Sequence, residues 1–231
     1  MQAEKTKSLV VFLLLVSLSC ITVLWGHELA HTMDNIRLWD WMNVVVLIAG
    51  LPFIFLQQQA GLPELLDQRV SSKNRFLKPA LIGIAFGLLD ILVVKIILHP
   101  EPYESLPPFL QPFPYSISLY SSGALELEIF YRLIPLTLLM LAGRYIAKGK
   151  YATHFFWVAA VLTSLREPLE QFPSGATWFV TYALLSGFLM NFLQAWYFRK
   201  AGFLASLIVR LGHYLVWHIL LGMYVEYAEL T

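Results

Sequence analysis

Residues 5–25 read KTKSLVVFLLLVSLSCITVLW: two lysines, then an apolar run free of charge as far as Trp25. Inside lipid every backbone N–H and C=O must be paired within the segment, and a helix needs about 20 apolar residues to cross the hydrocarbon. This run has that length. A lysine-flanked apolar stretch is also the form of a secretory signal. Here, however, apolarity continues past Cys20 with no small-residue cleavage pattern, so an uncleaved span is expected.

Working outward from 8–25, six more apolar segments follow at 41–56, 79–98, 117–142, 151–172, 178–198 and 203–224. The reading is an all-α, polytopic membrane bundle of about seven transmembrane helices in one domain, 1–231. The fifth segment is the least regular. Its clean apolar part ends at Leu165, before Arg166, Glu167, Pro168 and Glu170. Whether that helix runs on to Phe172 decides if these charges lie at membrane depth. Composition agrees with the class: 58% of residues are apolar and 13% charged, too little charge to cover a soluble surface. The net charge of +1 gives no footing for a nucleic-acid partner. Cys20 is the only cysteine, which excludes an internal disulfide and a cysteine-cluster metal site.

Lysine and arginine mark the cytoplasmic side of a membrane protein. Lys5 and Lys7 precede the first segment. Arg69, Lys73, Arg75 and Lys78 lie between the second and third. Arg144, Lys148 and Lys150 follow the fourth, and Arg199 and Lys200 the sixth. The alternate connections hold Arg37 alone, and 100–114 instead carries six prolines. This alternation places the N-terminus in the cytoplasm and the C-terminus outside. The expected location is the cytoplasmic membrane of a prokaryote or an equivalent internal membrane, with the lipid bilayer as first partner.

An ionisable residue within a span is costly and marks a candidate site. The fourth segment holds Glu126, Glu128 and Arg132, the third Asp90 and Lys95, the sixth Asn191 and Gln194, the seventh Arg210, His213 and His218. At about 1.5 Å per residue, Glu128 and His213 both fall near the midplane. Glu128 and Arg132 are four apart and share a helix face, so they can pair. One reading is a buried ion-pair network that locks helices together. The other is a catalytic cavity: Glu128 as general base, Arg132 holding it, His213 placing water or a carbonyl, and Glu126 as a second carboxylate.

The stretch EIFYRLIP at 128–135 resembles the first motif, EExxxR, of the CPBP family of intramembrane proteases, which includes the CAAX prenyl proteases and bacterial Abi proteins. WYFRKAG at 196–202, followed by a helix with His213, resembles the approach to that family's HxxxN motif. The resemblance covers a core of approximately 117–225. It implies a multi-helix bundle with a glutamate-based site inside the membrane, cleaving a membrane-embedded or lipidated peptide. The sequence departs from the pattern at three points. Leu127 stands where the family's catalytic glutamate lies, with Glu126 displaced by one. The FxxxH histidine has no counterpart at membrane depth in the fifth segment. Trp217 follows His213 where Asn or Asp belongs, and Arg210 with Tyr214 aligns equally well.

A second motif competes. His27-Glu28-Leu29-Ala30-His31 is a formal HExxH, whose histidines on a helix share one face and bind zinc, with Glu28 as base. It resembles the site-2 protease family, with Asp90 the nearest third ligand. Asp90 lies roughly 10 Å or more deeper than the histidines. A bound divalent ion without catalysis would recruit His99 or His218. Three functions follow: a divergent CPBP-type endopeptidase, a non-catalytic scaffold that binds a membrane partner, and a zinc protease.

Overall fold

A computed structural model describes residues 2–33 and 35–231. It is all-helical, with no strand among the described residues. Where abutting helical turns are joined, the rods are α1 (Gln2–Leu29), α2 (Trp41–Leu56), α3 (Lys73–Leu98), α4 (115–145), α5 (Ala152–Glu170), α6 (Thr177–Ala201) and α7 (Phe203–Glu229). Four of these, in α1, α3, α6 and α7, are long and apolar enough to cross a membrane. Helix α4 has the length but carries Glu126, Glu128, Arg132 and Arg144. Helix α2 is shorter and carries Pro52 after Gly50.

Apolar side chains such as Leu14, Leu24, Leu81 and Leu185 cover the outside of the bundle, while glutamate and arginine lie within it. This arrangement inverts that of a soluble protein and suits contact with lipid, where apolar surface has no reason to hide. Against water-driven packing, helices in lipid associate through close backbone approach. Helices α3 and α7 do so through Ala80, Gly83, Gly87 and Gly212. A Cβ at Gly83 would sit 2.0 Å from the Val209 carbonyl oxygen, and one at Gly212 would sit 2.7 Å from that of Ala80. Gly83 and Gly87 form a GxxxG pair, the small-residue spacing that permits such a crossing.

The connections fall at two ends. At one, Arg144 Nη1 donates to Gln59 O at 3.2 Å, and Gly202 (φ +87°) lets the α6–α7 corner abut Pro63 and Glu64. That end collects Arg69, Lys73, Lys148, Lys150 and Lys200. At the other end, the proline-rich segment 99–114 folds back over α7. Glu229 there accepts from Lys95 Nζ and Tyr103 N, each at 2.8 Å, while Glu226 accepts from Phe113 N at 2.9 Å. The segment is an extended cap, as its prolines require.

Helix α5 settles the question left by its sequence. It continues through Arg166 and Pro168 to Glu170, so Glu167 lies inside the bundle rather than in a loop.

Candidate functional site

Ser206, Arg210 and His213 follow i, i+4, i+7 spacing and share one face of α7. Each meets a different partner. Ser206 donates to Glu128 Oε2 in a short hydrogen bond, and Arg210 Nε donates to Glu128 Oε1 at 2.9 Å. The Arg210 fork also engages Glu167, through Nη1 at 2.8 Å and Nη2 at 2.6 Å. Such bidentate geometry is what guanidinium offers a carboxylate.

This corrects the expected pairing of Glu128 with Arg132. Arg132 turns instead to Gln194 Oε1 at 3.1 Å, to the Thr163 carbonyl at 3.2 Å and, in a short bond, to Asn191 Oδ1. Its Nη1 also reaches the Tyr131 carbonyl at 3.0 Å, and the physical cause lies in the sequence. Pro135, four residues on, has no N–H to give that carbonyl. Asn191 and Gln194 accept from both arginines, so α4, α5, α6 and α7 meet in one network. Two carboxylates and two guanidinium groups leave it formally neutral, the condition under which charges survive burial.

Beside the network lies a cavity of about 520 Å³. Glu128 does not line it. Its carboxylate is wholly buried and both oxygens are occupied. The carboxylates that do face the cavity are Asp90, Glu126 and Glu167. Leu127 also lines it. Glu126 is held by Asn43, whose Nδ2 donates to Oε1 at 2.9 Å.

His213 reaches across to α3, where its Nε2 lies 2.7 Å from Asp90 Oδ2. Tyr182 on α6 donates to the other Asp90 oxygen at 2.5 Å. An ionised carboxylate only accepts, so in this contact Nε2 is the donor. The Nδ1 of His213 is buried without a hydrogen-bond partner. Further along, His218 stacks on Tyr120, and its Nδ1 lies 2.8 Å from the Phe109 carbonyl oxygen. A carbonyl also only accepts, so the His218 Nε2 bears the unshared pair.

The zinc motif has a different fate. Helix α1 ends at Leu29, leaving His31 in the following turn, where its N–H donates to the Glu28 carbonyl at 3.2 Å. His27, Glu28 and His31 are all exposed, and the neighbour of His27 is Asp40 at 3.8 Å. Asp90 is committed to Tyr182 and His213. Among the described residues no group of three His, Cys, Asp or Glu side chains is placed to hold a metal ion.

Sequence reasoning named Glu126, Glu128, Arg132, Asp90 and His213 through their cost at membrane depth. It missed Ser206 and Tyr182, since one hydroxyl on an apolar helix carries no signal. Compared with known proteins, the chain matches no family model, no curated protein and no solved structure.

Proposed function

We propose that the chain is a seven-span membrane protein, N-terminus inside and C-terminus outside, and a divergent CPBP-type hydrolase of membrane-embedded or lipidated peptides. The basic residues gathered at one end of the bundle support that orientation. The observation that carries the chemistry is the His213–Asp90 couple on the cavity wall, with Glu128 sealed away from it. In this reading His213 replaces Glu128 as general base, through an Nδ1 that is buried at rest and must be brought to the cavity by a turn of the ring. It takes a proton from water as the water oxygen bonds the acyl carbon, then gives that proton to the departing nitrogen as the C–N bond breaks. Asp90 holds the ring and stabilises the imidazolium, and Tyr182 holds Asp90. Glu128 and Arg132 become supports for the wall rather than reacting groups.

A second reading has one observation in its favour: Arg210 neutralises both Glu128 and Glu167 while Arg132 is held by Asn191 and Gln194, as in a non-catalytic scaffold.

Purified protein in nanodiscs would be offered a quenched-fluorescent transmembrane peptide and a prenylated CAAX peptide, with metal analysis alongside. Cleavage falling about 10²–10⁴-fold in His213→Ala and Asp90→Asn, but surviving in Glu128→Gln, is expected. No cleavage of either peptide favours the scaffold. Stoichiometric zinc with activity dependent on Glu28 would overturn the assignment of His213.

A further inference from the structure

Two opposite charges line the cavity without pairing. Arg37, on the connection from α1 to α2, is pinned at both sides of its backbone: its N–H donates to Gln111 Oε1 at 2.8 Å, and its carbonyl accepts from Tyr115 Oη at 2.9 Å. Arg37 lines the cavity, and its guanidinium makes no hydrogen bond or ion pair to the described residues. Glu126 lines the same cavity and is held in turn by Asn43. That amide is itself oriented, because its Oδ1 accepts the Asp40 N–H at 3.0 Å, leaving Nδ2 to face Oε1 of Glu126. The second Glu126 oxygen has no donor among the described residues.

Unrestrained, an arginine and a glutamate in one half-wet cavity would close on each other. Here Asn43 holds the Glu126 carboxylate, Gln111 and Tyr115 hold the Arg37 backbone, no ion pair joins the two, and both residues line the same space. The complement of such a pair is a zwitterion: an oxyanion for the guanidinium fork and an N–H ammonium for the carboxylate. Trp39, Tyr120 and Phe109 add aromatic surface to the wall, which suits an ammonium group.

The rest of the lining argues for a lipid. Val94 near the end of α3, and Phe179 and Ala183 near the start of α6, form an apolar flank at the same end of the bundle. In the proposed orientation that end is the outer leaflet, with Arg37 at headgroup level. We infer that this mouth binds an aminophospholipid of the outer leaflet, its phosphate on Arg37, its primary ammonium on Glu126 and an acyl chain along Val94 and Phe179. The inference shares the cavity and the orientation of the proposed function, but its readout is binding and does not depend on turnover.

The full-length protein in detergent would be examined by native mass spectrometry with dioleoyl phosphatidylethanolamine, phosphatidylcholine and phosphatidylglycerol at equal concentration. One phosphatidylethanolamine should be retained in preference to the other two. Arg37→Gln should weaken retention of it by about tenfold or more, the worth of a charge-assisted hydrogen bond, and Arg37→Lys should restore part of it. Glu126→Gln should erase the preference over phosphatidylcholine, whose quaternary nitrogen has no N–H, and should raise phosphatidylglycerol binding. Size-exclusion profiles matching wild type would certify the fold of each variant. Equal retention of the three lipids, or unchanged preference in Glu126→Gln, would overturn the inference. So would displacement of the lipid by glycerophosphoethanolamine at equal concentration, which would assign the site to the free headgroup.

Discussion

Arg210 Nε lies 2.9 Å from Glu128 Oε1, while the far side of the same guanidinium grips Glu167 in two bonds. One side chain of α7 thus neutralises a carboxylate from α4 and another from α5, with all three groups buried. Removing the cation would leave two carboxylates facing each other away from water. Arg210→Met should therefore cost about 3–5 kcal/mol, the range for breaking a buried pair. Glu128→Gln keeps an acceptor for Ser206 and Arg210 and should cost less. Apparent Tm values in one detergent would rank the two, and an Arg210→Met protein as stable as Glu128→Gln would contradict the network's role.

The α3–α7 crossing makes a prediction about single methyl groups. Gly83→Ala puts a Cβ into backbone, and should lower stability by roughly 1–3 kcal/mol as the helices part. Because His213 meets Asp90 across that crossing, the same variant should disturb their contact. Gly123→Ala is the matched control: nothing lies within 4 Å of its added Cβ, so it should be neutral or slightly stabilising.

The extended cap over α7 depends on Glu229, which holds both Lys95 and the Tyr103 amide. Glu229→Ala removes both bonds. Hydrogen exchange of residues 100–110 should rise several-fold, while exchange in the α3–α7 core stays as it was. Unchanged protection of the cap would show that its prolines and aromatic contacts suffice.

At the opposite end, the connection before α3 carries a pH response. Arg69 binds Asp67 through Nε at 2.9 Å and Nη2 at 2.6 Å, holding its carboxyl below the ordinary value of 3.8. A depressed carboxylate stabilises the fold above its ordinary pKa, and that contribution disappears as pH falls through the lowered value. Stability from Asp67 should thus be constant near neutrality and decline below about pH 4. Asp67→Asn should flatten this part of the acid limb of Tm against pH, and an identical limb in the variant would exclude it.

Much of the architecture was legible along the chain. Hydropathy betrays helices that lipid will cover, since no polar face is needed where no water is met. Runs such as 8–25 and 178–198 accordingly became helices close to where they were read. Several boundaries lie a few residues further out than read, because helical pairing persists past the last apolar side chain, whereas the fifth helix is shorter at both ends, 152–170 against 151–172. Glu128, Arg132, Asp90 and His213 were legible as costly residues, and the cost itself pointed to partners. Which partners was not legible. Spacing along α4 favoured Glu128 with Arg132, yet Arg210 took Glu128, and Arg132 took Asn191 and Gln194 from α6. Likewise the HELAH spacing presumed a helix that ends at Leu29.

What the sequence by itself determined was the class of the protein and the short roll of polar groups that had to find one another. The pairing among them was a tertiary decision. A side chain in lipid chooses its partner by what neighbouring helices bring within three ångströms or so, and that depends on crossings such as Gly83 on Val209, which periodicity does not encode. Only the packed bundle therefore closed Glu128 off from the cavity and set His213 against Asp90 on its wall.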